Sequence, residues 1–198
     1  MKKTYILIIS VLVILIGVSA VTAWSLRDWF REKRFNFRTV EENQIYRSGL
    51  PTKENLAYLK ENYNIKTIFS FSGDITQEYK DIEDFARENS INLIKLPMVT
   101  EKDPVKEYVA TYLAEVNKSN NWPVLVHCGA GVDRTSWMIA LFRMVHQGWT
   151  WDQAYEEAKK CGLHYKDPEK SDITSRIPDL AALFMTTNGP AIPQKQVP

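Results

Sequence analysis

Apolar and polar positions divide the chain into two regimes. From Tyr5 to Trp24 there is no charged residue, with Lys2 and Lys3 in front and Arg27 the first charge behind. Such a run is apolar on every side and long enough to span a bilayer as a helix. Trp24, Trp29 and Phe30 lie where interfacial anchors are found. Val21-Thr22-Ala23 resembles a small-residue cleavage site, so a cleaved, exported chain is the alternative. The Met-Lys-Lys start points to an extracytoplasmic domain. The basic residues Arg27, Arg31, Lys33, Arg34 and Arg38 pull the other way, because basic flanks tend to stay inside.

After Gln44 the pattern alternates between short β-rich runs and amphipathic stretches. Ile45-Tyr46-Arg47-Ser48-Gly49 predicts a strand ending in a turn. Pro51-Thr52 opens a helix to about Asn62 that turns Leu56, Leu59 and Tyr63 to one side. Thr67 to Phe71 predicts a strand, closed by a turn and helix cap at Ser72-Gly73-Asp74. A helix from Ile75 to Asn89 follows, burying Ile82 and Phe85. Ile91 to Leu96 is a strand, and Asp103-Pro104 starts a helix carrying Val105, Val109, Tyr112, Leu113 and Val116. Pro123-Val124-Leu125-Val126 has the wholly apolar character of a strand buried on both faces of a parallel sheet. A helix runs from Arg134 to Gln147 and stops at Gly148. Thr150 and Gln153 form a capping box for the helix Trp151–Lys160.

Strands alternating with helices predict an α/β fold, with a mainly parallel central sheet flanked by helices. The expected organisation is a signal anchor or signal peptide over 1–26, a basic juxtamembrane linker over 27–42, one folded domain over 43–187, and a disordered tail over 188–198.

Composition narrows the chemistry. With 198 residues, 44% hydrophobic and 25% charged, the chain has the make-up of a globular domain plus an appendage. Two cysteines and three histidines are too few for a disulfide scaffold or a zinc cluster. The net charge of +1 conceals an asymmetry. Residues 1–34 hold six Lys/Arg against two Asp/Glu, leaving 19 against 22, a net of −3, over 35–198. A mildly acidic domain has no electrostatic footprint for nucleic acid, whereas the segment Arg27 to Arg38 suits anionic lipid headgroups.

The chemistry concentrates in Val126-His127-Cys128-Gly129-Ala130-Gly131-Val132-Asp133-Arg134-Thr135, between the buried strand and its helix. That is where open α/β sheets bind ligands. Gly129 and Gly131 let the backbone curl so that successive N–H groups point inward as an anion nest, to which the helix adds its positive end. Arg134 can fold back and hold two phosphate oxygens in its fork. Cys128 lies in the same positive field, which favours a thiolate. Cys161, at a helix end without a basic or glycine-rich setting, reads as packing, and His146 and His164 read as structural.

His-Cys, five residues, Arg and then Thr resembles the signature of the cysteine-dependent protein tyrosine phosphatases. The size and strand–helix order resemble the dual-specificity branch, and the likeness covers Gln44 to Leu163, opening with Tyr46-Arg47-Ser48-Gly49. The resemblance implies a dual-specificity phosphatase-like fold and a metal-free, cofactor-free reaction in which Cys128 attacks phosphorus and the cysteinyl-phosphate is then hydrolysed. Arg134 and the N–H groups of Gly129, Ala130, Gly131, Val132, Asp133 and Arg134 would hold the equatorial oxygens, Thr135 would steady the thiolate, and His127 would orient the loop. Where the family has glycine after this Thr, Ser136 stands here.

The resemblance also asks for a general acid. Family members supply an aspartate about 25–35 residues before the cysteine, which points to Asp103, with Glu101 a poorer candidate. Asp before Pro is equally a helix N-cap, so both readings of Asp103 stand. Asp133 is the other candidate, as in myotubularin-like lipid phosphatases; its alternative role is to brace the loop. Phosphotyrosine-type proteins are the expected substrates, with phospholipid headgroups second. Val132, where lipid-directed relatives carry lysine, and the acidic domain favour the former; the anchor and Asp133 favour the latter. A phosphate-binding module without turnover and a rhodanese-type sulfur transferase are the rivals from other classes.

Overall fold

The computed structural model describes residues 32–73, 76–99, 104–163 and 173–187. Contacts divide the chain into two units, Met1–Arg34 and Phe35–Pro198. Of the first, only the helical residues 32–34 are described. The expected span over Tyr5 to Trp24 and the expected tail after Asn188 lie outside the described residues. Among those described, no helix is long and apolar enough to cross a membrane.

The second unit is a five-stranded sheet covered by helices on both faces. Its strands are β1 (Arg38–Glu41), β2 (Ile45–Ser48), β3 (Thr67–Ser70), β4 (Asn92–Lys95) and β5 (Val124–His127), in the order β1-β2-β5-β3-β4. β2, β5, β3 and β4 run parallel, and only β1 pairs antiparallel, with β2. The helices are α1 (Lys53–Tyr63), α2 (Gln77–Glu88), α3 (Lys106–Val116), α4 (Asp133–Gln147), α5 (Trp151–Lys160) and α6 (Ile177–Thr187).

The period of two along the central strands creates two cores. Leu125 shares one with Tyr46, Ile68, Leu56, Leu59, Ile82 and Phe85, beneath α1 and α2. Val124 and Val126 share the other with Ile45, Phe69, Tyr112, Trp137 and Ile177, beneath α3, α4 and α6. β5 is therefore buried along its whole length, which is why its sequence is apolar without alternation. Its C-terminal end delivers Cys128 to the edge of the sheet where helices begin.

Local signals set the helix ends. Thr52 Oγ1 accepts from the Asn55 N–H at 3.3 Å. At α5 both bonds of the capping box form, Gln153 N–H to Thr150 Oγ1 at 3.3 Å and Thr150 N–H to Gln153 Oε1 at 2.9 Å. Gly148 takes the left-handed φ of 68° that ends α4.

Three expectations need correction. The linker placed over 27–42 gives way at Phe35, because Phe35 and Phe37 bury their rings, Phe37 stacking on Tyr46 at 5.6 Å, and residues 38–41 add a strand. Helix α2 starts at Gln77, where the Thr76 hydroxyl accepts from the Tyr79 N–H, rather than from a cap at Asp74. Helix α3 starts at Lys106: Val105, expected within it, is extended (φ −62°, ψ 123°) and holds the N-cap position without a side-chain bond, while Asp103 lies outside the described residues.

Candidate active site

Cys128 follows β5 and is 2% exposed, its side chain in the core beneath α4. The loop from His127 to Val132 then turns into α4, whose N-terminus has no side-chain cap. For a loop to aim successive N–H groups inward at an anion, its carbonyls must point outward, and each outward carbonyl needs a donor. Every one of them has such a partner. His127 O accepts from the Phe71 N–H at 2.9 Å, Gly129 O from the Leu50 N–H at 2.8 Å, and Val132 O from the Ser136 N–H at 2.9 Å. Cys128 O accepts from His127 Nδ1 at 3.4 Å. Ala130 O accepts from Asn36 Nδ2 at 3.4 Å, and Gly131 O from Asn36 Nδ2 at 3.1 Å and Arg47 Nη2 at 2.9 Å.

Gly131 is at φ +70°, and a Cβ there would lie 2.4 Å from Gly49 N and from Ser48 C. A Cβ on Gly49 would in turn meet Gly129 O at 3.0 Å. The loop thus rests backbone against backbone on the turn after β2, which only glycines allow.

Arg134, in the first turn of α4, folds back over this loop. Its Nη1 donates to Phe71 O and Met98 O, both at 3.1 Å, and its Nη2 lies 3.3 Å from where a Gly129 Cβ would stand. The guanidinium is therefore held in place by the chain after β3 and by the start of the segment that leads to Asp103. Thr135 is fully buried, and its Oγ1 has no hydrogen-bond partner among the described residues. Asp133 is half-buried at the head of α4. Asp103 and Glu101 lie outside the described residues, so of the two candidate acids only Asp133 is placed beside the loop. Gly129 and Ala130 are exposed and Val132 is buried, close to Gly162. Among the described residues, no group of three or more His, Cys, Asp and Glu side chains could hold a metal ion.

His127 is fully buried, and burial pushes its pKa down to about 4, with the Arg134 charge acting in the same direction. Burial keeps it neutral at pH 7, with the Nδ1 proton donated to the Cys128 carbonyl. Because the folded state holds fewer protons on His127 than the unfolded state between about pH 6.5 and 4, stability falls as pH drops through that window. His146 is shifted the same way by burial. The expected loss from His127 is about 2 kcal/mol between pH 7.5 and pH 5, or several degrees in Tm. A His127→Asn variant should show a shallower Tm slope over that range, and an unchanged slope would remove His127 from this role.

Sequence reasoning missed Arg47 and Asn36 as supports of the loop. The signal for Arg47 was present, a charge within an apolar strand. Asn36 lies more than 90 positions from its partners and offered none.

The comparisons with known proteins agree with this geometry. The family described as "DSP-PTPase phosphatase fused to NAD+ Kinase" matches residues 19–175. The inositol diphosphatase DSP5 of Arabidopsis thaliana is 32% identical over 136 residues, covering 66% of this chain and 64% of that protein. The dual specificity protein phosphatase TpbA of Pseudomonas aeruginosa is 28% identical over 62% of this chain and 53% of its own length. The match thus spans just under two thirds of the first relative and about half of the second. Among solved structures, the core catalytic domain of the PP-IP phosphatase SIW14 from S. cerevisiae superimposes with a TM-score of 0.62 at 25% identity, over 72% of this chain and 83% of that one. The chain belongs to the DSP-PTPase family, the dual-specificity branch of the cysteine-dependent tyrosine phosphatases.

Proposed function

We propose that the chain hydrolyses phosphomonoesters through a cysteinyl-phosphate on Cys128. The observation that carries this reading is a loop whose carbonyls all have hydrogen-bond donors, four of them from other segments, leaving its N–H groups to face a phosphoryl group, with a cysteine at its root and an anchored guanidinium beside it. In the first step Cys128 Sγ forms a bond to phosphorus as the ester P–O bond breaks, and the leaving oxygen takes a proton from a carboxylic acid. In the second, water attacks phosphorus, the S–P bond returns its electron pair to sulfur, and the carboxylate takes up the proton. The N–H groups and Arg134 hold the three equatorial oxygens throughout, a preorganised arrangement that needs no reorientation as charge shifts.

Phosphotyrosine-type proteins are the first substrate class, supported by the uncharged Val132, the net acidity of residues 35–198 and the likeness to TpbA. Inositol phosphates are the second, favoured by relatives that are themselves inositol diphosphatases. The test is phosphate release by the detergent-solubilised full chain from an aryl phosphate, a phosphotyrosine peptide and an inositol diphosphate, side by side. Binding of all three without release would leave a phosphate-binding module, and thiosulfate sulfur transfer would indicate a rhodanese.

The acid is assigned by leaving group. Of Asp103→Asn and Asp133→Asn, the variant that removes it should lose about 10²–10⁴-fold on a phenyl phosphate and much less on a nitrophenyl phosphate. The other should lose only a few-fold on both. Negligible effects in both variants would exclude both residues.

The membrane tether at Tyr5 to Trp24 and an extracytoplasmic domain complete the proposal, supported by the uncharged run and its Lys-Lys start. Release of the full chain from membranes by alkaline carbonate would refute the tether.

A further inference from the structure

Two buried cations stand outside the reading above: Arg143, which is paired with Glu41 and Glu157, and Arg47. Arg47, in the middle of β2, is 1% exposed. Its Nη2 donates to two groups that bracket the loop's turn into α4. These are Gly131 O at 2.9 Å and Ser136 Oγ at 2.7 Å. Its Nε and Nη1 have no hydrogen-bond partner, and no carboxylate pairs with it, among the described residues. The ionisable groups around it are Cys128, Cys161, Glu157 of α5, Arg38 of β1 and Tyr112 of α3. Glu157 is already committed, since both of its oxygens accept from Arg143, one at 3.1 Å and the other at 2.7 Å. Arg38 is engaged with Asn36 Oδ1 at 3.1 Å. Tyr112 is fully buried and kept neutral by that burial.

A buried charge is costly unless paired, so a fold retains one where its charge or its geometry is needed. We propose that Arg47 is a positioning residue of the phosphate cradle: it holds the Gly131 carbonyl outward, so that the adjoining N–H groups face the phosphate, and it directs an unpaired positive charge at Cys128. The sequence change at Ser136 fits this role. The hydroxyl gives the guanidinium a second acceptor on α4, so that strand β2, the loop and the helix are joined through one nitrogen. Arg134 and Arg47 then divide the work, one acting on the substrate and the other on the loop's shape and on Cys128, while neutral His127 contributes no charge.

The inference rests on the phosphatase reading, and the experiment separates the two. Full-length wild type, Arg47→Met, Arg47→Lys and Ser136→Ala would be compared by tungstate affinity, by kcat and KM on an aryl phosphate, and by the pH midpoint of iodoacetamide alkylation at Cys128, read by mass spectrometry. Thermal melting would confirm that each is folded. For Arg47→Met the expected result is a tungstate affinity at least about tenfold weaker and an alkylation midpoint about one pH unit higher. Arg47→Lys keeps the charge but not the fork, so the midpoint should return towards wild type while tungstate remains weakened. Ser136→Ala should weaken tungstate about two- to threefold with the midpoint unchanged.

Folded Arg47→Met with wild-type affinity and midpoint overturns the proposal. Should Arg47→Met not fold, wild-type tungstate affinity in both Arg47→Lys and Ser136→Ala overturns it instead. If the wild type neither binds tungstate nor turns over the aryl phosphate, the phosphatase reading itself fails.

Discussion

Replacing Cys128 with serine should lower kcat by at least about 10³-fold while leaving tungstate binding within a few-fold of wild type. The two halves of that expectation have separate structural sources. Turnover needs a sulfur that ionises readily and leaves phosphorus readily, and a serine hydroxyl does neither at neutral pH. Binding depends on the loop's N–H groups, and their orientation is enforced by donors on other segments: Phe71, Leu50, Asn36 and Arg47. Each of these donors bonds to a loop carbonyl and not to the sulfur, so the cradle survives the exchange. Release of phosphate by Cys128→Ser above a few per cent of the wild-type rate would sink the covalent mechanism. Loss of tungstate binding in a folded variant would show that the thiolate helps to shape the cradle.

The second large effect is expected at Arg134. Arg134→Lys should cost about 10³-fold in kcat/KM, more than the loss of one hydrogen bond. An ammonium cannot hold two oxygens in a plane, and it also cannot reproduce the anchoring of Nη1 on Phe71 O and Met98 O. Those carbonyls belong to the segments that follow β3 and β4, so the guanidinium joins the phosphate cradle to the root of the segment that carries Asp103. The lysine variant should therefore lose kcat as well as affinity. A variant with raised KM and unchanged kcat would show that Arg134 only binds substrate.

The strands and helices around the loop were legible because their signals are local. The wholly apolar Val124-Leu125-Val126 announced a strand covered on both faces, and Thr150 with Gln153 announced a helix start whose two bonds both form. β1 was not legible. Arg38-Thr39-Val40-Glu41 is an edge strand with a register shift, half-open to solvent, and carries no clean alternation. The start of α3 was misread because Asp-Pro is a strong local signal, yet Val105 keeps extended dihedrals and delays the helix. The residues of the loop could be named from their spacing, but its supports could not. Asn36 and Arg47 meet Gly131 across 95 and 84 positions, and such contacts exist only once β2 lies beside β5.

The contact of Gly131 with the backbone of Ser48 and Gly49 decides where this loop can be re-engineered. Of the four residues between Cys128 and Asp133, Gly131 admits no side chain, and Gly129 has the Arg134 guanidinium 3.3 Å from its would-be Cβ. Val132 is turned inward. Ala130 alone is exposed and already bears a Cβ, with its carbonyl tied back to Asn36. A designer seeking to retune substrate preference from within the loop has one position to vary, and a library that randomises all four would spend most of its members on chains that cannot close the turn.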